Sequence, residues 1–134
     1  MKTAGRSILI ISFLFLSQLV LSQISYMYSD GNMNSYTVKE FEVRYDPMQK
    51  EESSSGMYSG GDPKVKVITP HELLKITALF EEAIADGSAQ EPKRSMGSAL
   101  LIRYNKTSID KKIILKTGSS HITKIERRLK ALLE

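Results

Sequence analysis

The chain has 134 residues, which is the size of one ordinary domain behind a short targeting segment. Its formal net charge is +4, and part of that excess lies near the N terminus at Lys2 and Arg6, so the remainder is too weakly basic to predict nucleic-acid binding. The sequence contains no cysteine, which excludes disulfides, thiolate metal sites and thiol nucleophiles.

Residues 1–22 have the pattern of a signal peptide. A short basic stretch precedes the apolar run ILIISFLFLSQLVL at 8–21. Val20 and Ser22 then occupy the minus-three and minus-one positions of a small-residue cleavage site, which predicts a mature protein that starts near Gln23. An uncleaved anchor is the alternative, although the run is shorter than the roughly 20 apolar residues that a span needs. We therefore expect a periplasmic or secreted protein with no stable membrane anchor after cleavage.

The next part of the chain is polar and then alternating. Residues 23–35 are predicted to form a flexible N-terminal segment or an edge strand. The stretch YTVKEFEVRY at 36–45 is predicted to be a strand, because every second residue from Phe41 to Tyr45 is apolar or aromatic and the others are charged. Val38 is out of phase with this set, which either a bulge or an irregular strand start would explain.

The rest of the chain predicts two units in which a strand leads into a helix. A strand at 64–69 is followed by a helix with strong start signals: Thr69 as N-cap, Pro70 at the first position and Glu72 as the capping-box partner. The remaining predicted elements are a central strand at 98–104, a strand at 109–116 and a last helix that ends at Leu133.

We predict that residues 36–134 form a single α+β domain. The element order is ββαββα. Short connections and two amphipathic helices favour an antiparallel sheet of about four strands with both helices on one face.

His71 and His121 are the candidates for catalytic or metal-binding chemistry, and each lies in the first turn of a predicted helix. The functional interpretation is a pair of neutral metal ligands, or a general base served by a serine, in a small metal-dependent or hydrolase-like enzyme. No HExxH or G-x-S-x-G motif accompanies them. The simpler interpretation is two polar residues at helix starts, and it predicts no catalytic residue, no metal site and no cofactor.

The loop at 46–63 contains most of the stretch SSSGMYSGGDPK. A phosphate-binding loop needs a helix directly after its glycines, whereas a strand follows Gly60 and Gly61 here. The loop is longer than most hairpin connections, which is typical of mobile or functional loops. Met57 and Tyr58 are residue types of contact surfaces, and the alternative is that they fold onto the sheet edge. We predict a surface for a partner protein, and it consists of Met57, Tyr58, Ser59, Gly60 and Gly61.

The last helix carries a run of basic residues that includes Arg127 and Arg128. They predict a second contact surface, for an acidic partner or an anionic membrane surface. The alternative is an ordinary solvated helix face.

The order of these features resembles emfourin, a family of small bacterial inhibitors of thermolysin-type metalloproteases. The resemblance covers about residues 36–133 and is carried by Ser-Gly-Gly at 59–61 and the TPxEL helix start at 69–73. Some uncharacterised small exported domains are similar in the same way. The resemblance implies a small inhibitory α+β protein. Asp62 follows the glycines where the family is expected to have an apolar residue, and the signal peptide is a second departure.

The function predicted from these features is that of a non-enzymatic binding protein of the cell envelope. It would act as an inhibitor, immunity or accessory protein and recognise a partner protein through the 46–63 loop, which a rigid scaffold displays. The enzyme that uses His71 or His121 and a structural envelope component are the alternatives.

Overall fold

A computed structural model describes residues 23–134, and the predicted signal peptide at 1–22 lies outside the described residues. The described chain forms one antiparallel sheet of six strands and two α-helices, which confirms the α+β class. The prediction of about four strands was too low, and the predicted order matches the observed one only roughly. Within residues 23–134, no helix is long and apolar enough to cross a membrane.

The elements are named in chain order. The strands are β1 (Ile24–Ser29), β2 (Ser35–Lys39), β3 (Glu42–Asp46), β4 (Lys64–Val67), β5 (Ala99–Asn105) and β6 (Ser108–Leu115), and the helices are α1 (Pro70–Ala85) and α2 (Ser120–Leu133). The strands lie in the order β4-β3-β2-β1-β5-β6, and each neighbouring pair is antiparallel. The strand predicted as central at 98–104 is β5, which lies between β1 and β6.

The segment expected to be flexible or an edge strand forms β1, an inner strand of the sheet. It pairs with β2 on one side and β5 on the other. Its buried aromatic residues are Tyr26 and Tyr28, which are 5% and 0% exposed. The ring of Tyr26 stacks on Phe80 of α1 with centroids 4.8 Å apart. A tyrosine can be buried in this way when its hydroxyl finds a partner or water, and so a segment rich in serine and tyrosine can form the middle of a sheet.

The stretch predicted as a single strand at 36–45 forms two strands joined by a tight turn. Lys39 pairs with Glu42, which leaves Glu40 and Phe41 as a two-residue hairpin connection. Glu40 adopts a φ of 56°, the positive value that such a turn requires. The turn puts Val38 on the core face and leaves Phe41, which was expected to be buried, 50% exposed.

The predicted start of α1 is confirmed. The backbone N–H of Glu72 donates to the Thr69 hydroxyl at 3.1 Å, and the Glu72 carboxylate accepts the backbone N–H of Thr69 at 2.9 Å. These two bonds satisfy donors that a helix end leaves free.

Both helices pack on one face of the sheet. The buried residues of α1 are Ile76, Phe80 and Ala83, and those of α2 are His121, Ile125, Leu129 and Leu132. Their apolar side chains form one core with the buried side chains of the sheet. This arrangement holds α2 over one end of the sheet, where the site described next lies.

Candidate functional site: a tyrosine-lined cleft

A cleft of about 530 Å³ lies where the β1–β2 turn, the 46–63 loop and α2 meet. Its aromatic wall consists of Tyr36, Tyr45 and Tyr58, and its charged groups are those of Asp30, Glu126 and Lys130.

A buried amide, Asn34, connects the sheet to the loop. Asn34 is 4% exposed. Its Nδ2 donates to Asp30 Oδ2 at 3.1 Å and to the Tyr58 hydroxyl at 2.9 Å, and its Oδ1 accepts the backbone N–H of Met48 at 2.8 Å. One side chain therefore contacts the loop near both of its ends. The loop is fixed where it leaves the sheet and again at the aromatic wall.

Asp30 shapes the β1–β2 turn. It is 7% exposed, and its Oδ1 accepts the backbone N–H groups of Asn32 at 2.9 Å and Asn34 at 3.0 Å. On the other side of the turn, the Arg94 guanidinium donates to the backbone carbonyls of Asp30 and Ser98, each at 2.9 Å. The Asp30 carboxylate is therefore a buried part of the turn that orders its backbone.

Two tyrosines of the cleft, Tyr36 and Tyr45, are neutral hydrogen-bonding groups with raised pKa values. The rings of Tyr36 and Tyr45 lie with centroids 4.8 Å apart, and the Tyr45 hydroxyl donates to the carbonyl of Gly60 at 2.7 Å. Burial raises the pKa of Tyr36, and Tyr45, Asp30 and Glu126 raise it further. These phenols therefore keep their protons at neutral pH, where they can donate and accept hydrogen bonds but do not act as bases.

The structure separates the predicted loop residues into two groups. Tyr58 lines the cleft, and Gly60 packs so closely that an added Cβ would lie 2.1 Å from Oδ1 of Asn34. Met57 is 80% exposed. The remaining two, Ser59 and Gly61, are exposed and joined by a 3.3 Å hydrogen bond from the backbone N–H of Gly61 to the serine hydroxyl.

The predicted basic residues of α2 are not among the residues that line the cleft. Arg127 is exposed and Arg128 is half-buried. The residues of α2 that line the cleft are Glu126 and Lys130, one helical turn apart. The structure thus brings α2 and the loop together across one cleft, through the predicted Tyr58 on the loop and through two residues of α2 that were not predicted.

The two histidines have different surroundings. His121 is 8% exposed, and its Nε2 lies 2.8 Å from Oδ2 of Asp86, a carboxylate that the sequence did not place beside it. The Ser88 hydroxyl donates to the other oxygen of Asp86 at 2.6 Å. These contacts, that of Ser88 first, lower the pKa of Asp86.

This arrangement differs from that of a catalytic triad. The serine and the histidine each contact the carboxylate, whereas nucleophile activation needs the histidine to contact the serine. His71 is exposed at the start of α1. Among residues 23–134, no group of three or more histidine, aspartate or glutamate side chains could hold a metal ion.

Comparison of the chain with protein-family models, with curated proteins and with solved structures finds no match. The resemblance to emfourin therefore stays a prediction from Ser-Gly-Gly at 59–61 and the helix start at 69–73.

Proposed function

We propose that this protein is an exported, non-enzymatic binding protein of the cell envelope. It recognises a partner protein through the 46–63 loop and the cleft beneath it, and it acts as an inhibitor, an immunity protein or an accessory subunit. The observation that carries this proposal is the attachment of a long exposed loop to the buried amide of Asn34.

The attachment gives the loop the properties of a preorganised contact surface. Met48 and Tyr58 are both hydrogen-bonded to Asn34, and the backbone N–H of Gly60, two residues after Tyr58, donates to the carbonyl of Met48 at 2.9 Å. A loop already held in one conformation loses less entropy when it binds, which favours affinity. Met57, 80% exposed, is a large apolar side chain that the domain itself does not bury. An exposed methionine on a fixed loop is well suited to contact a partner.

Export is supported by the sequence alone. The pattern at 1–22 is that of a cleaved leader, which gives a periplasmic or secreted protein without a stable anchor. An enzyme that uses His71 or His121 has less support. The ring of His121 contacts Asp86, and burial raises the pKa of Tyr36 and Tyr45, so these two phenols keep their protons at neutral pH.

The experiment is quantitative capture of partners from the envelope of the producing cells. The tagged protein is expressed from its full coding sequence, so that any natural processing takes place. Met57→Ala is compared with wild type, and Leu74→Ala is the control because Leu74 is also exposed, at 63%, but lies on α1.

We expect Met57→Ala to reduce recovery of a specific partner by about thirtyfold or more, the loss at a contact hot spot, while thermal stability stays within about 0.5 kcal/mol. Leu74→Ala should recover the partner as wild type does. Equal recovery by wild type and both variants would show that the loop does not recognise the partner.

A further inference from the structure

The cleft holds two carboxylates that have no cationic partner among the described residues. Asp30 and Glu126 both line it, and no ion pair within 4.0 Å in residues 23–134 involves either of them. Arg94 is close to Asp30 but donates to its backbone carbonyl. Lys130 is the one cation among the lining residues, so the cleft as a whole is negative. An anionic ligand would meet two like charges there, which disfavours it.

The hydroxyl of the buried Tyr36, which has no hydrogen-bond partner among residues 23–134, opens into the same cleft. Tyr36 is 4% exposed, and no described residue forms a hydrogen bond with its hydroxyl. In residues 23–134, every side-chain nitrogen or oxygen that is sealed from solvent has a hydrogen-bond partner. The Tyr36 hydroxyl must therefore reach solvent, and the cleft is the space that Tyr36 lines. Such a group is positioned to bond a ligand rather than the protein.

The aromatic wall adds a third feature that favours a cation. Tyr36 and Tyr45 are packed with ring centroids 4.8 Å apart, and Tyr58 lines the same cleft. The faces of such rings carry negative charge density, which attracts an ammonium or guanidinium group within about 6 Å. Asp30 contributes its charge only, because its oxygens already accept hydrogen bonds from Asn32 and Asn34. Glu126, the Tyr36 hydroxyl and the rings offer electron density to a cation, and Lys130 is the one cation among the lining residues.

We propose that the cleft binds a basic side chain, an arginine or a lysine, that the partner protein inserts beside the loop. This inference rests on the proposed function and gives the chemistry of the contact. Glu126, half-buried, supplies the ionic contact, since only one of its oxygens is bonded to Tyr28. Tyr36 supplies a hydroxyl acceptor, and the rings cover the cation. Lys130 opposes the inserted charge, so it limits affinity instead of contributing to it.

The first experiment uses a small probe and needs no knowledge of the partner. The protein, expressed from its full coding sequence, is titrated with N-acetyl-arginine amide while the tyrosine ring resonances are followed by NMR. The control probe is N-acetyl-citrulline amide, which has nearly the same shape but a neutral urea in place of the guanidinium. We expect saturable shifts at Tyr36, Tyr45 and Tyr58 with the arginine probe, and at least tenfold weaker binding of the citrulline probe.

Variants then test the residues. Glu126→Gln and Tyr36→Phe should each weaken binding of the arginine probe severalfold, and Lys130→Gln should make its binding tighter. Glu40→Gln is the matched control, because it removes one negative charge at the exposed β2–β3 turn and leaves the cleft unchanged. A thermal melt of each variant shows that it is folded. The proposal is overturned if both probes bind equally well or if neither binds. It is also overturned if the resonance shifts lie away from the cleft, or if a neutral sugar probe binds there instead.

The capture assay separates this inference from the proposed function. If Met57→Ala abolishes capture while Glu126→Gln and Tyr36→Phe both leave it unchanged, the loop recognises the partner and the cleft inference is overturned. If both cleft variants reduce capture in proportion to their loss of probe affinity, the inference is supported. If the arginine probe binds at the cleft while Met57→Ala leaves capture unchanged, the cleft is supported as a site for a basic group. The proposal that the loop recognises the partner is then wrong.

Discussion

The hydroxyl of Tyr28 donates a 2.8 Å hydrogen bond to the carboxylate of Glu126, a residue 98 positions later in the chain. Tyr28 is fully buried in β1, and Glu126 lies on the face of α2 that lines the cleft. The bond therefore fixes one wall of the cleft to an inner strand of the sheet. It also orients the carboxylate that we propose receives a basic group.

Removing this hydroxyl should cost measurable stability. We expect Tyr28→Phe to lower the free energy of unfolding by about 1–2 kcal/mol, because a bond to a charged acceptor is lost while half-buried Glu126 can still be hydrated. The measurement is denaturant unfolding at neutral pH. Tyr104→Phe is the control, since the half-buried Tyr104 has no side-chain hydrogen bond within residues 23–134. Equal effects of the two changes would mean that the Tyr28 bond contributes nothing.

The core should respond strongly at positions where the helices meet the sheet. Phe80 and Leu129 are both fully buried. Phe80→Ala should destabilise the fold by about 3–5 kcal/mol and Leu129→Ala by about 2–5 kcal/mol, while Thr69→Ala should cost only about 1 kcal/mol as a lost cap. Leu74→Ala, at an exposed leucine of α1, is the control. Denaturant melts that show no difference between Phe80→Ala and Leu74→Ala would contradict the packing.

The helices and the outer strands could be predicted from sequence because their signals are local. The Thr69 cap, Pro70 and Glu72 act within one turn, and the apolar spacing of α2 depends only on that helix. The number of strands could not be predicted in the same way. β1 is buried through Tyr26 and Tyr28, whose burial depends on Phe80 and Glu126 far along the chain. In the sequence alone the contacts with Phe80 and Glu126 are not visible, so a polar segment with several tyrosines is predicted to be a flexible tail.

Only part of the site could be predicted, because most of its contacts also join residues far apart in the chain. Tyr58 was selected from the composition of the loop, and it does line the cleft. Asp30 and Asn34 were missed because each looks like an ordinary turn residue, and only the fold shows that both are buried and joined. Glu126 was missed because it lies next to Arg127 and Arg128, and the prediction for α2 rested on its basic residues and not on this carboxylate.

The Asn34 amide should be essential to the order of the loop. We expect Asn34→Ala to destabilise the protein by about 1–3 kcal/mol, since it leaves the backbone N–H of Met48 and one oxygen of Asp30 without their partner. Hydrogen exchange should also accelerate across the 46–63 loop. Asn32→Ala, at an exposed position of the same turn, is the control. Unchanged exchange in the loop of Asn34→Ala would show that the loop is held by other contacts.

Buried tyrosines predict a loss of stability at alkaline pH. Burial raises the pKa of Tyr26 to about 12 from its ordinary value of 10.0, and burial also raises the pKa of Tyr28 and Tyr36. Above pH 10 the unfolded chain releases these protons while the folded chain keeps them, so each such group lowers stability by about 1.4 kcal/mol per pH unit until its folded pKa is reached.

The alkaline effect can be measured by denaturant unfolding at pH 9, 10 and 11. Stability should fall beyond pH 10, and Tyr26→Phe should reduce the slope by removing one titrating group. A stability that stays level up to pH 11 would show that the three hydroxyls ionise as freely in the folded state as in the unfolded chain.

Gly60 offers the sharpest test of how tightly the loop is seated. A Cβ at Gly60 would lie 2.1 Å from Oδ1 of Asn34 and 2.8 Å from Cβ of Pro47, so one of the contacts must shift. Asn34 cannot move freely, because it is buried and bonded to Asp30, Met48 and Tyr58. We therefore expect Gly60→Ala to lower the free energy of unfolding by about 1–3 kcal/mol, as overpacking does. It should also weaken partner capture, because it displaces Tyr58. Gly87→Ala is the matched control, since nothing lies within 4 Å of its added Cβ. If denaturant melts of the two alanine variants coincide, the loop yields at Gly60 and is not the fixed surface that partner recognition requires.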